Sequence, residues 1–338
     1  MPTPSSAFIV TQQTAGPVLA ALRNHQPGTS WTAARNLLAA RRIAVNGILC
    51  IEEARRIHPG DRLEIHAHPL PAPPRDADVA ILHADHHLVV AHKPSGMLTV
   101  RHPGDVDWSE QKKQRQPSLD EALVRLLEQR ERRGGSRAVP GPLKVVHRID
   151  RETSGIVVFA RTELAQRELI RQFAAHSVHR RYLCIIPGDI PAQTLRSVQI
   201  RDRGDGLRGT ADDDESRTGL SMVTHIRPLR RIGHFTELEC RLETGRTNQI
   251  RIQLAEIGQP LCGDVKYRGP FGATEIPDHS EAPRLALHAA ELGFIHPEGK
   301  SPVSWTSKWP PEMLRWIASL QQRRPTAKIG ELPGSKGH

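Results

Sequence analysis

Aromatic residues are scarce, with two Tyr, six Phe and five Trp making up 4% of 338 residues. A core in this chain must therefore be built from Leu, Ile, Val and Ala. Cysteine is also sparse: Cys50, Cys184, Cys240 and Cys262 stand far apart, and no Cys-x-x-Cys occurs. That spacing excludes a zinc ribbon and a dense disulfide framework, so a reducing, cytoplasmic setting is expected. No apolar stretch approaches the roughly 18 residues that a membrane helix needs. The opening Met1-Pro2-Thr3-Pro4-Ser5-Ser6 has no basic region followed by an apolar run, so no secretory leader and no membrane partner are expected. Acidic residues fall short of basic ones, 37 against 47.

The resulting formal charge of +10 attracts phosphates and speeds encounter with nucleic acid. A hydrophobic share of 38% fits a packed soluble core, and the length suits two domains. Residues 66–78, with four prolines, read as an extended, semi-rigid linker. They divide a small unit at 1–70 from a large one at 79–321, with 71–78 between them and a basic, disordered tail at 322–338.

In the first unit, Thr32 to Ala40 reads as a helix ending at Arg41 and Arg42, and Ile43-Ala44-Val45 as a strand. Asn46-Gly47 is a two-residue hairpin signal, Ile48 to Ile51 the returning strand, Pro59-Gly60-Asp61 a turn, and Arg62 to Ile65 a closing strand. In the second unit, Leu88 to Ala91 is a buried-type strand. Ser118 and Glu121 are spaced as a capping box before a helix that Gly134-Gly135 ends. Gly155 to Ala160 is a β-branched run, Thr162 caps a following helix, and Tyr182 to Ile186 is a strand. Leu238, Cys240 and Leu242 alternate with charged residues as on a half-exposed strand. Asp212 to Glu215 reads as a solvated loop.

Chemistry concentrates in two segments. In Val146-His147-Arg148-Ile149-Asp150-Arg151-Glu152-Thr153-Ser154-Gly155, an Asp between two Arg precedes an apolar strand. The flanking cations are expected to keep Asp150 ionised, and the strand to hold it rigidly. The alternative is an exposed turn with local ion pairs, which are worth little. In Thr244-Gly245-Arg246-Thr247-Asn248-Gln249-Ile250-Arg251, the donors suit phosphates or base edges, or else form a helix start with a surface Arg pair. His83, His86 and His87 raise a metal hydrolase as a rival, but no metal-ligand spacing accompanies them, and a solvated loop is the simpler reading. His147, Cys240, Cys262, Trp305 and Trp309 are read as packing residues.

His147 to Gly155 resembles the His-Arg-Leu-Asp-Arg-x-Thr-Ser-Gly signature of the RluA-type pseudouridine synthases. Arg180-Arg181-Tyr182 and Thr244 to Leu254 resemble two further motifs of that family. Gly258 to Asp264, Arg284 to Ala289, Leu292, Phe294, His296 and Pro297 continue the match over most of residues 80–300. Ile149 stands for the family's Leu, Asn248 for its His, and Gln253 for a second His. The segment Arg41 to Gly47 with His58 to Asp61 resembles an S4-type RNA-binding domain.

The resemblance implies an α+β fold, with a catalytic domain on a mixed, largely antiparallel sheet and a small S4-like α/β domain. It implies an isomerase that converts uridine to pseudouridine without a cofactor or metal. The substrate is expected to be ribosomal RNA, with transfer RNA or a catalytically inactive RNA-binding homologue as alternatives. It assigns Asp150 as the essential carboxylate, Tyr182 to the flipped base, and Arg251 to pairing with Asp150. Arg148, Arg246, Asn248, Gln249 and Lys93 become substrate contacts. Arg35, Arg41, Arg42 and Asn46 become RNA contacts of the S4-like domain. A monomer without an obligate protein partner is expected.

Overall fold

A computed structural model of the chain describes residues 6–133, 141–204, 206–210 and 219–322. The expectations for Gly134-Gly135, for Asp212 to Glu215 and for the tail beyond Gln322 lie outside those residues.

The first unit runs β1 (Ser6–Ile9), β2 (Gly16–Pro17), α1 (Val18–His25), α2 (Trp31–Ala39), β3 (Ile43–Val45), β4 (Ile48–Leu49), β5 (Arg56–Ile57) and β6 (Arg62–Ile65). Its sheet has the order β1-β6-β3-β4, and β2 pairs with β5. Val18, Leu22, Leu38, Ile43 and Leu63 form one buried cluster, so both helices press an apolar stripe on the sheet. Asn46 (φ 53°) and Gly47 (φ 70°) make the left-handed turn that their sequence predicts. Ser30 accepts a hydrogen bond from the Ala33 amide and starts α2.

The stretch after β6 is not a free linker. His66 and Leu70 are buried. The Arg42 guanidinium donates to the His66 carbonyl and that of Arg41 to the Leu70 carbonyl. The Leu70 amide donates back to Arg41 O. These bonds fasten the segment to the first unit as far as Leu70, Pro69 included, and Pro71, Pro73 and Pro74 follow. Farther on, Asp76 takes both prongs of Arg125.

The second unit continues with β7 (Ala80–Ala84), β8 (Leu88–Lys93), α3 (Glu110–Arg115), α4 (Leu119–Arg133), β9 (Lys144–Val145), β10 (Ser154–Ala160), α5 (Glu163–Ala174) and β11 (His179–Pro187). Then come β12 (Gln193–Ile200), β13 (Gly209–Thr210), β14 (Leu220–Ile232), β15 (Phe235–Leu242), α6 (Gln249–Glu256), β16 (Leu287–Ile295), β17 (Pro302–Thr306) and α7 (Pro311–Gln322). One 11-stranded sheet carries the order β13-β12-β14-β15-β11-β16-β10-β8-β7, with β17 added on β16 and β9 on β10. The β10–β16 pair is parallel and the other ladders are antiparallel. The fold is therefore α+β on a mixed, largely antiparallel sheet, as expected.

Strands β8 and β10 read as unbroken apolar runs because both their faces are covered. Leu119, Ala122 and Leu123 of α4 pack on one face with Val89 and Val157. Ala165 and Leu169 of α5 pack on the other with Val90, Ile156 and Val158. Glu121, three residues after Ser118, is gripped by Arg101 at 2.6 and 2.9 Å. Strand β15 differs from its expected half-exposure, since Glu237 and Glu239 are buried. Trp309, just before α7, donates to Glu237 at 2.6 Å, while Arg227 and Arg241 close over Glu239. A charged side chain can be covered in this way when long arginine stems lie across it.

Candidate active site

The segment before β10 is held by the loop that follows β8. The Thr99 hydroxyl donates to Ile149 O at 2.7 Å and accepts from the Ile149 amide at 3.1 Å. Ser95 donates to Glu152 O, and the Gly96 amide to Arg151 O. Asp150 thus sits between backbone positions tied down on both sides. Gly155, at φ 125°, brings β10 against β16 so closely that a Cβ there would strike the Ala289 backbone.

A cavity of about 520 Å³ opens over Asp150. Tyr182, Leu242, Ile250 and Leu287 give it apolar walls, and Arg148, Arg180 and Arg246 add cations. That size suits a single base with its ribose. Tyr182 reaches it from β11 where the ladder to β16 shifts register between Arg181 and Tyr182. A bulge of this kind re-aims one side chain.

Burial pushes the Asp150 carboxyl above its ordinary value; Arg251, Lys93 and Arg148 pull the other way but do not win. The expectation that neighbouring arginines hold it low is thereby corrected. Arg151 does not face it: its guanidinium donates to Gly96 O on the other side of the segment. Burial also raises the Tyr182 phenol, with Asp150 adding to the effect.

Arg251 is buried, yet its two-pronged partner is Asp264, at 2.7 Å twice, rather than Asp150. Glu152 lies 3.7 Å from it. Asp264 is fully enclosed and also accepts the Lys266 and Tyr267 amides. The expected Arg251–Asp150 pair is therefore an attraction through space. It arises because Asp264, 13 residues on, is in hydrogen-bonding reach.

Lys93 is corrected as a phosphate contact. It is wholly buried, and its ammonium donates to the carbonyls of Pro94, Met97 and Arg151. Arg148 is exposed at the cavity and donates to Thr247, and Arg246 donates to Ser221 O. Gln249 lines the cavity but is fully used: it accepts from Thr244 and the Arg246 amide and donates to Val223 O and Thr224. Asn248, at φ 58°, donates to Tyr267 and accepts from Arg251. It shapes the helix entry more than it offers free donors.

In the first unit, Asn46 bridges Asp61 and the Arg62 amide, and Arg41 and Arg42 hold carbonyls, so these three serve their own fold. Arg35 is exposed beside Glu53. His147 accepts from the Val158 amide and stacks on Phe173, and burial pushes it down to about 3. Arg180 was the residue missed. It lines the cavity and lies over Phe173, and its place two residues before Tyr182 on the same strand was a usable signal. His83 and His296 both bond Asp85, and His87 pairs with Glu298.

The RNA pseudouridylate synthase family model matches residues 87–256. The chain is 36% identical to ribosomal large subunit pseudouridine synthase D of Xanthomonas campestris over 277 residues, covering 80% of this chain and 76% of that protein. It is 33% identical to an uncharacterized RNA pseudouridine synthase of Bacillus subtilis over 288 residues, covering 83% and 86%. In structure it is similar to human RNA pseudouridylate synthase domain containing 4, with a TM-score of 0.54 at 21% identity, covering 73% and 95%, a likeness of fold. With Asp150 and Tyr182 facing one base-sized cavity in a matching sheet, the chain belongs to the RNA pseudouridylate synthase family, isomerases that act on uridine in RNA.

Proposed function

We propose that this protein isomerises uridine to pseudouridine in ribosomal RNA, with the Asp150 carboxylate acting on the nucleoside. The supporting observation is the cavity that joins Asp150, Tyr182 and three arginines. In the reaction, the bond from ribose C1′ to N1 of the base breaks and the base turns. A bond from C1′ to C5 then forms, C5 releases its hydrogen to solvent, and N1 gains a proton. Atoms and electrons balance without a redox partner. Asp150 serves as nucleophile at C1′ or as base. Tyr182 packs on the extruded base, and Arg251, fixed by Asp264, supplies positive potential to Asp150. Arg148 and Arg180 meet the strand that the base has left, and Arg246 meets a phosphate. Extrusion costs a few kcal/mol, which the cationic rim offsets.

Ribosomal RNA is favoured over transfer RNA because the Xanthomonas relative is named for the large ribosomal subunit. Residues 1–70 act as an S4-like RNA-gripping unit, through Arg35 and its exposed neighbours, and residues 79–321 as the catalytic unit. The protein works as a monomer in the cytoplasm. Among the described residues, no helix is long and apolar enough to cross a membrane.

Pseudouridine mapping of ribosomal RNA from cells with the protein, without it, and with Asp150→Ala tests the reading. The expected result is at least one ribosomal uridine converted only when the active protein is present. An unchanged ribosomal map with altered transfer RNA would move the substrate. No change in any RNA would leave an inactive RNA-binding homologue.

A further inference from the structure

A second cavity, of about 920 Å³, lies on the opposite side of the Asp150 segment. Its wall alternates with that of the first: Ile149, Asp150 and Thr153 face one, while Arg151 and Glu152 face the other. It is closed by the first unit. Gly47, at the tip of the β3–β4 turn, presses on Val265, and Leu49 and the Pro71–Pro74 stretch complete that side.

The charges in this cavity do not balance. Arg75, Arg151, Arg251, Arg284, Lys266 and Lys308 face Asp78, Glu152 and Glu312. Three of the cations have carboxylates: Arg251 has Asp264, Arg284 has Glu312 and Arg75 has Asp78. Arg151, Lys266 and Lys308 have no carboxylate within 4.0 Å among the described residues. Arg151 is the more telling: burial disfavours its charge more than nearby Glu152 favours it, and among the described residues its side-chain hydrogen bond is to a carbonyl. A half-buried guanidinium in that position asks for an anion. Prolines, Val265, Leu285 and Trp309 make most of the remaining wall apolar, with His92 and Ser95 as its polar members. An anion with a flat, weakly polar body satisfies both features.

We propose that this cavity is a second binding site, for a nucleotide, whose phosphate meets Arg151, Lys266 and Lys308 and whose base lies on the proline and Trp309 wall. The nucleotide is either a free mononucleotide or one from the bound RNA strand. The site does not depend on where the isomerisation occurs, and its test reads binding alone.

The test is calorimetric titration of the full chain with adenosine 5′-monophosphate, repeated for a Lys266→Ala/Lys308→Ala double variant and for Arg246→Ala at the first cavity. The expected result is saturable binding that weakens at least about tenfold in the double variant and is unchanged in Arg246→Ala. A short single-stranded RNA added in excess then identifies the source: competition means a strand nucleotide, and independence means a free one. Absence of saturable binding, or loss in Arg246→Ala with retention in the double variant, overturns the proposal. Both lysines are at least partly exposed, so the double variant is expected to fold, and an unchanged circular dichroism spectrum checks it.

Discussion

At the scale of single residues, the site depends on how far burial and nearby cations oppose each other at Asp150. Burial is the larger effect and sets the carboxyl above its ordinary value of 3.8. If the charged form is the working one, the rate falls as pH drops through that raised value. The acid limb of a kcat profile should therefore lie above the ordinary carboxylate range. Arg251→Met removes the strongest opposing cation, so the limb should move to still higher pH. The same variant leaves Asp264 buried without its partner, which costs about 3–5 kcal/mol, measurable by denaturant unfolding. Lys93 gives a separate test. Burial lowers its ammonium to about 7 from 10.5. Between those values the unfolded chain binds the extra proton, so stability rises with pH. The unfolding free energy of the wild type relative to Lys93→Met should increase from about pH 7 toward 10.5, and a flat difference would contradict the burial account. The motif singled out Asp150 as a candidate, but neither the upward push of burial on its carboxyl nor the hydrogen-bonded partner of Arg251 was legible there. Both depend on enclosure by segments distant in sequence, and local charge order alone pointed the wrong way.

At the scale of elements, two hydrogen bonds, of 2.7 and 3.1 Å, position the carboxylate. The Thr99 hydroxyl makes both of its bonds to Ile149, the residue before Asp150. Thr99→Val keeps the shape and removes both bonds, about 1–3 kcal/mol of unsatisfied backbone. It should lower kcat with little change in KM for RNA, and Thr99→Ser should restore it. Gly155→Ala must push a methyl into the Ala289 backbone at a positive φ. It should destabilise the protein by about 3 kcal/mol or more, seen as a lower thermal midpoint. Hairpin chemistry was fully readable, since Asn46-Gly47 adopts the conformation its dipeptide favours. Strand β1 and helix α1 were not anticipated, although Val18, Leu19 and Leu22 carry a helical spacing behind Gly16-Pro17. Their stability comes from packing with the rest of the first unit more than from local preference. The charged positions of β15 misled for the same reason: Glu237 and Glu239 look exposed until Trp309 and the arginines are in place.

At the scale of the whole molecule, an excess of 10 positive charges meets a polyanion. Arg35 and Arg56 are exposed on the first unit. If that unit grips RNA, Arg35→Glu/Arg56→Glu should weaken binding and flatten its salt dependence, by about one unit of slope for each phosphate that the variant no longer neutralises. The α+β class of the large sheet followed from the order of strands and helices along the chain. The fastening of the segment to Leu70 was hidden, because it depends on arginine side chains whose motif pointed to RNA. The most direct measurement of the central claim is tritium release from ribosomal RNA labelled at uridine C5, using wild type and Asp150→Asn, with RNA binding monitored in parallel. Release by the wild type, and none by a variant that still binds RNA, is the predicted result. Equal release by both proteins would show that the carboxylate in this cavity does not carry the reaction.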